Sequence, residues 1–184
     1  MSVWDVLEDS QRLAWSLTPL SHVGPLRFGM TSNEAHAAVQ VGLRLSQSQS
    51  SASGSDGWAE YDLVGTAAIG PAVTTYYDES GRLSGLAVDA LRGPQVTLDG
   101  LRLVGRTPSR LEDEFHDYVT SRGQEVRYSQ LADPWAPQLG LVLRAQRAGD
   151  VVLSRPVVVA QTWAERCGDT TEGAIPMTEW QTFA

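Results

Sequence analysis

A single cysteine, Cys167, stands in the whole chain. That excludes an intrachain disulfide and any cluster of thiolate ligands within one chain. Long apolar runs are missing as well: no stretch approaches the roughly 20 residues needed to cross a bilayer. The opening Met1-Ser2-Val3-Trp4-Asp5 is amphipathic, with neither a basic n-region nor a continuous apolar core. No secretory signal is therefore expected, and cytoplasmic residence is the default. Basic runs are also absent. The 14 Lys+Arg against 22 Asp+Glu leave a formal charge of -8, whereas a nucleic-acid binder needs a basic face to neutralise phosphates. The acidic balance instead steers the chain towards basic partners.

Motifs of cofactor and metal chemistry are equally scarce. His22, His36 and His116 show neither the i, i+4 spacing of a helical metal site nor a His-x-His or Cys-x-x-Cys setting. The glycine-rich stretches 24–29, 65–70 and 100–105 match neither the P-loop nor the dinucleotide fingerprint. No cofactor or metal is expected. Cys167 follows Arg166, and a neighbouring guanidinium lowers a thiol pKa. A nucleophilic Cys would still need a His brought to it by the fold, and the alternative is a small semi-buried hydrophobe. Glu112-Asp113-Glu114 with Asp117 is the densest acidic run. A helix sets Asp113 and Asp117 on one face, which permits acid–base or cation chemistry. Acidic residues early in a helix are also what its dipole favours.

What the chain does contain is a repeated opening. Gly24-Pro25-Leu26-Arg27-Phe28-Gly29-Met30-Thr31 runs from a short strand into a helical pattern. Gly100-Leu101-Arg102-Leu103-Val104-Gly105-Arg106-Thr107-Pro108 does the same with one extra residue before its glycine. Thr31 and Glu34 form a capping box for a helix over 32–41. Thr107 as N-cap and Pro108 at the first helical position start a second helix, which ends at Arg122-Gly123. Each helix leads to a strand (58–64, then 126–131) and a hairpin. The first hairpin, Val73–Tyr77 and 82–90 around Asp78-Glu79-Ser80-Gly81, is the clearest signal in the chain. The second runs 139–144 and 151–160 around a turn at 146–150, and a single lead strand is expected over 96–104.

The fold class is therefore α+β. Two tandem repeats, each strand, helix, strand and hairpin, form antiparallel sheets with helices packed on one face. The expected divisions are an N-terminal helix within 1–20, a first repeat over 21–95, a second over 96–162 and a tail over 163–184. That helix spans 2–17, with Val3, Val6, Leu7, Leu13, Ala14 and Leu17 at helical spacing. Ser46–Ser55, mostly Ser and Gln, reads as a mobile loop. The tail carries Trp163, Ile175, Met177, Trp180 and Phe183, enough apolar area to fold back onto the body.

Aromatic and acidic residues gather in one region. Glu60, Tyr61 and Asp62 share a strand, and Tyr76, Tyr77, Asp78 and Glu79 sit at the neighbouring hairpin. Tyr and Trp supply rigid contact area, and carboxylates steer a basic partner. The alternative is cross-strand core pairs with solvated acids.

The Phe28-Gly29-Met30-Thr31 turn into a helix, followed by an antiparallel sheet and then repeated, resembles the duplicated α+β unit of secreted β-lactamase-inhibitor proteins. The same opening is similar to that of small outer-membrane-assembly lipoproteins. The hairpin Tyr76-Tyr77-Asp78-Glu79-Ser80-Gly81-Arg82-Leu83 is similar to those of small bacterial immunity proteins, which neutralise polymorphic toxins. The secreted inhibitors are disulfide-bonded, and with one Cys this chain departs from them. The resemblance implies a non-catalytic, cytoplasmic binder of a basic protein toxin, as a monomer or homodimer. Its expected contacts are Glu60, Asp62, Tyr76, Asp78 and Glu79, with Trp135 as an anchor from the second half. The alternatives are a small enzyme using Asp113, Asp117 or Cys167 in a cleft between the repeats, and a structural protein that pairs with itself.

Overall fold

The computed structural model describes residues 2–50, 57–66 and 70–181. The order is β1 (Ala14–Thr18), β2 (His22–Val23), β3 (Leu26–Arg27), α1 (Ser32–Val39), β4 (Leu43–Gln49), β5 (Trp58–Leu63), β6 (Val73–Tyr77) and β7 (Leu83–Val88). It continues with β8 (Gln95–Leu98), β9 (Leu101–Arg102), α2 (Pro108–Thr120), β10 (Arg127–Tyr128), β11 (Pro134–Ala136), β12 (Leu141–Ala148) and β13 (Val151–Val159). Two short helices, α3 (Gln161–Ala164) and α4 (Met177–Gln181), follow. At α1 the capping box is complete. Glu34 N donates to Thr31 Oγ1 at 3.3 Å, and Thr31 N donates to Glu34 Oε2 at 2.8 Å.

The strands form two sheets, one of five in the order β3-β2-β1-β8-β9 and one of eight in the order β10-β11-β12-β13-β7-β6-β5-β4. The fold is thus α+β and mostly sheet. Every pairing in the larger sheet is antiparallel. The smaller sheet departs from the antiparallel expectation, because β1 and β8 run parallel with Trp15 against Val96. A long excursion through α1 and six strands separates these two in sequence, which is what a parallel neighbour requires.

The larger sheet is covered on both faces. On one, α1 (Ala35, Val39), α2 (Leu111, Phe115, Val119) and the small sheet (Leu17, Val23, Leu26, Val96, Leu98) enclose the main core. On the other, Tyr76, Ala87, Trp135, Val142 and Val157 meet Ala164, Cys167, Ile175 and Trp180 from the C-terminal segment. The expectation of helices on one face only is corrected accordingly, since α3 and α4 lie on the second. Each large apolar side chain buried here stabilises by about 1.5–3 kcal/mol, which holds the tail to the body.

Three local expectations also change. No helix forms over 2–17: a single 3₁₀ turn spans Asp9–Gln11, and Ala14–Thr18 is a strand with alternate residues buried. Leu13, Trp15 and Leu17 have period two, and pairing with β8 decides between the two patterns. Arg12 fixes the entry to β1 by donating to the carbonyls of Leu7, Ala90 and Gly93. Ser46–Gln49 is not loop but the exposed edge of β4, paired with β5. Its side chains are polar and exposed, with Ser46 and Gln47 donating to Glu60 and Gln49 accepting from Trp58 Nε1, and its backbone completes a ladder; 51–56 lie outside the described residues. The single strand expected over 96–104 folds back as the β8–β9 hairpin. Asp99 and Gly100 both take positive φ, 48° and 82°, as a two-residue type I′ turn demands. Among the described residues no helix is long and apolar enough to cross a membrane.

Candidate functional site

Side chains on β5 alternate. Ala59 and Tyr61 enter the main core, so Trp58, Glu60 and Asp62 fall on the opposite face of the large sheet. Register then sets Trp58 against Tyr76 and Glu60 against Thr74, one pair above the other. Thr74 continues the row to Ala87, and Ala87 to Val157 on β13. Thr178 and Glu179 of α4 close one side, and Asp89 and Arg155 close another. The cavity between them, partly open to solvent, measures about 480 Å³, within the usual range of ligand pockets, roughly 300–1,000 Å³.

A buried charge network forms one wall. Arg144 and Arg155 are cross-strand neighbours on β12 and β13. Arg155 Nη1 lies 2.8 Å from Glu179 Oε1. Arg144 donates to the backbone carbonyls of Glu179 and Trp180, and its Nε lies 3.5 Å from Asp133 Oδ2. Tyr76 donates its hydroxyl to Glu179 Oε2 at 2.6 Å. Burial, and then the adjacent Glu179 charge, push the Tyr76 phenol far above its ordinary range, so it stays a donor. Burial also raises the Asp133 carboxyl, against the pull of Arg144. Taking these charges out of water is tolerable only because each is paired.

Glu60 is in a different position. Gln47 Nε2 donates to its Oε2 at 3.3 Å, but no cation pairs with it among the described residues. Burial first, and the charge of Asp62 second, raise its carboxyl above the usual range. Asp62, two residues along the same face, is 3.8 Å from Arg44 Nη2.

The other expected contacts divide. Asp78 builds its turn, with Oδ1 accepting from Ser80 N at 2.9 Å and Arg82 N at 3.0 Å. Glu79 beside it is exposed. Together they line a second, more open hollow with Trp163, Thr170, Thr171 and Met177. Consecutive residues Met177 and Thr178 line one hollow and the other. Tyr76 and Trp135 are buried, at 5% and 7% exposure. Trp135 packs beneath Gly168 and under the Arg127 guanidinium, 5.4 Å from its ring. It is a core residue under the tail, so the anchor expected of it has little surface to offer a partner: a flat indole on β11 needs cover, and the tail supplies it.

The remaining chemical candidates are scattered. Among the described residues no three His, Cys, Asp or Glu side chains gather as a metal site. Cys167 is buried, and burial pushes its thiol up to about 12, so at neutral pH it is a protonated hydrophobe. Asp113 and Asp117 stand on the exposed side of α2. Sequence reasoning missed Asp89, Arg144, Arg155 and Glu179. Two arginines inside apolar strands, Leu141-Val142-Leu143-Arg144 and Arg155-Pro156-Val157, were the signal, because a buried guanidinium demands a carboxylate. Comparison with family models, curated sequences and solved structures finds no match to this chain.

Proposed function

We propose that this is a non-catalytic, cytoplasmic binding protein of the immunity type, which neutralises a basic protein toxin. The observation that carries the reading is Glu60, a half-buried carboxylate that lines a cavity on the sheet face and has no cationic partner among the described residues. An anion held partly out of water and left uncompensated is a standing demand for a cation. Asp62 on one side and Asp78 and Glu79 at the second hollow extend the acidic surface. Direct contact is assigned to these four acids, with Tyr76 shaping the wall behind Glu60.

The same reading takes the chain as two tandem α+β repeats. Helix α1 followed by β4–β7 parallels α2 followed by β10–β13, and the last strands of the two sets, β7 and β13, pair at the middle of the sheet. This arrangement supports a duplication and accounts for a sheet of eight strands from so short a chain.

The test is retention of partners from the source cell lysate on tagged protein, at low and at moderate salt. The expected result is a basic protein retained at moderate salt and released when Glu60, Asp62, Asp78 and Glu79 are reversed to arginine. Retention indifferent to charge reversal overturns the reading. Self-association has one observation in its favour, the exposed β4 edge. Light scattering at several concentrations distinguishes it.

A further inference from the structure

The floor of the cavity beside α4 is two stacked cross-strand pairs, Trp58–Tyr76 and Glu60–Thr74. Aromatic faces attract cations through the ring quadrupole, and a desolvated carboxylate attracts them more strongly. The other charges on the wall are already engaged. Arg155 lies against Glu179 and donates Nε to Val88 O at 3.2 Å. Asp89 accepts from Leu91 N, Arg92 N and Gln146 Nε2. The Tyr76 hydroxyl is turned to Glu179, which leaves its ring, not its oxygen, to the cavity. Among the described residues, Glu60 alone of these carboxylates has neither a cation nor a backbone donor, only Gln47 Nε2. At about 480 Å³ the space is larger than one charged head group needs and admits an alkyl stem as well.

We propose that this cavity binds an organic cation, a guanidinium or alkylammonium group on an alkyl stem, with Glu60 as its counter-ion and Trp58 and Tyr76 as its aromatic wall. The inference rests on the partner-binding reading only for the source of the cation, which there is an arginine or lysine side chain of the partner. Free diamines and polyamines carry the same chemistry. Neutral Thr74 and Ala87 complete the floor, so selectivity resides in charge, and an uncharged isostere is rejected.

The experiment is titration of the full chain with agmatine, with spermidine, with an arginine-terminated peptide, and with the urea analogue of agmatine. Binding is read from the indole and amide NMR signals, with Trp58 assigned by Trp58→Leu. Saturable binding of the cations and none of the urea is expected. Glu60→Gln weakens it about tenfold, and Trp58→Leu about threefold. Glu125→Gln, at an exposed residue ahead of β10 that does not line the cavity, leaves it unchanged. Agmatine or spermidine binding as tightly as the peptide assigns the cation to free amines, and tighter peptide binding assigns it to a side chain. No saturable shift, or equal binding by Glu60→Gln and Glu125→Gln, overturns the proposal. The two readings fail separately. Amine binding without any retained basic protein removes the partner and leaves the pocket. A retained protein indifferent to Glu60→Gln, with no amine binding, does the reverse.

Discussion

Glu60 is held against its own ionisation. Burial and the neighbouring Asp62 raise its folded pKa, so the folded chain binds that proton more tightly than the unfolded chain does. The carboxylate therefore lowers stability above its folded pKa, and the penalty fades as pH falls through that value towards the unfolded one. Glu60→Gln is expected to melt about 1–2 °C above the parent at pH 7, a small shift because the group is partly solvated and screened. The difference should vanish below about pH 4, where the parent is protonated as well. A variant that melts lower than the parent at pH 7 would show that Glu60 is structural, satisfied by contacts such as Gln47. At this scale the sequence was informative about acids and poor about aromatics. Glu60 and Asp62 stood out because they share a strand with Tyr61 beside the Tyr76-Tyr77-Asp78-Glu79 hairpin; that they face away from Tyr61 follows from the strand pairing. Whether Trp135 faced water or the tail depended on a segment more than thirty residues away, near Gly168.

At the scale of elements, α4 shows why a five-residue helix is ordered at all. So short a helix has little stability of its own. Its order comes from Trp180 and Ile175 in the second core and from Glu179 between Arg144, Arg155 and Tyr76. Glu179→Ala removes the carboxylate that these groups share, leaving Asp133 to Arg144 alone of the two arginines. The expected loss is about 3 kcal/mol, the lower end for breaking a buried ion pair. Tyr76→Phe leaves the ion pairs intact and should lose about 1.5 kcal/mol, as for one hydrogen bond to a charged group. Chemical denaturation followed by tryptophan emission measures both. Equal effects would mean that packing, not charge, docks α4. Elements whose signals are local were legible: the Thr31 and Thr107 helix starts and the 73–88 hairpin lie as read. β1 was not, since its apolar residues fit a helix and a strand alike. The strand that decides the matter, β8, is some eighty residues further on.

The whole molecule is stitched together twice across its middle. β7 and β13 pair at the centre of the large sheet, with Ala87 against Val157 and Leu86 against Val158. β1 and β8 pair in the small one. The main core is drawn from both halves, with Phe115 and Leu141 in the same cluster as Tyr61 and Leu86. If the halves descend from one duplicated unit, neither has kept an edge that ends in solvent at the junction. Cutting between 94 and 95 would expose β7 and β13 as long apolar edges, which associate or aggregate when unpaired. It would also leave each half with part of a core, at a size where burial is already marginal. The intact chain is therefore expected to unfold in a single calorimetric transition, with van't Hoff and calorimetric enthalpies in agreement. Fragments 1–94 and 95–184 should each lack near-ultraviolet circular dichroism alone and regain it when mixed. Two resolved transitions, or one fragment that folds by itself, would show that each half carries its own stability and that the shared sheet is a docking of finished domains.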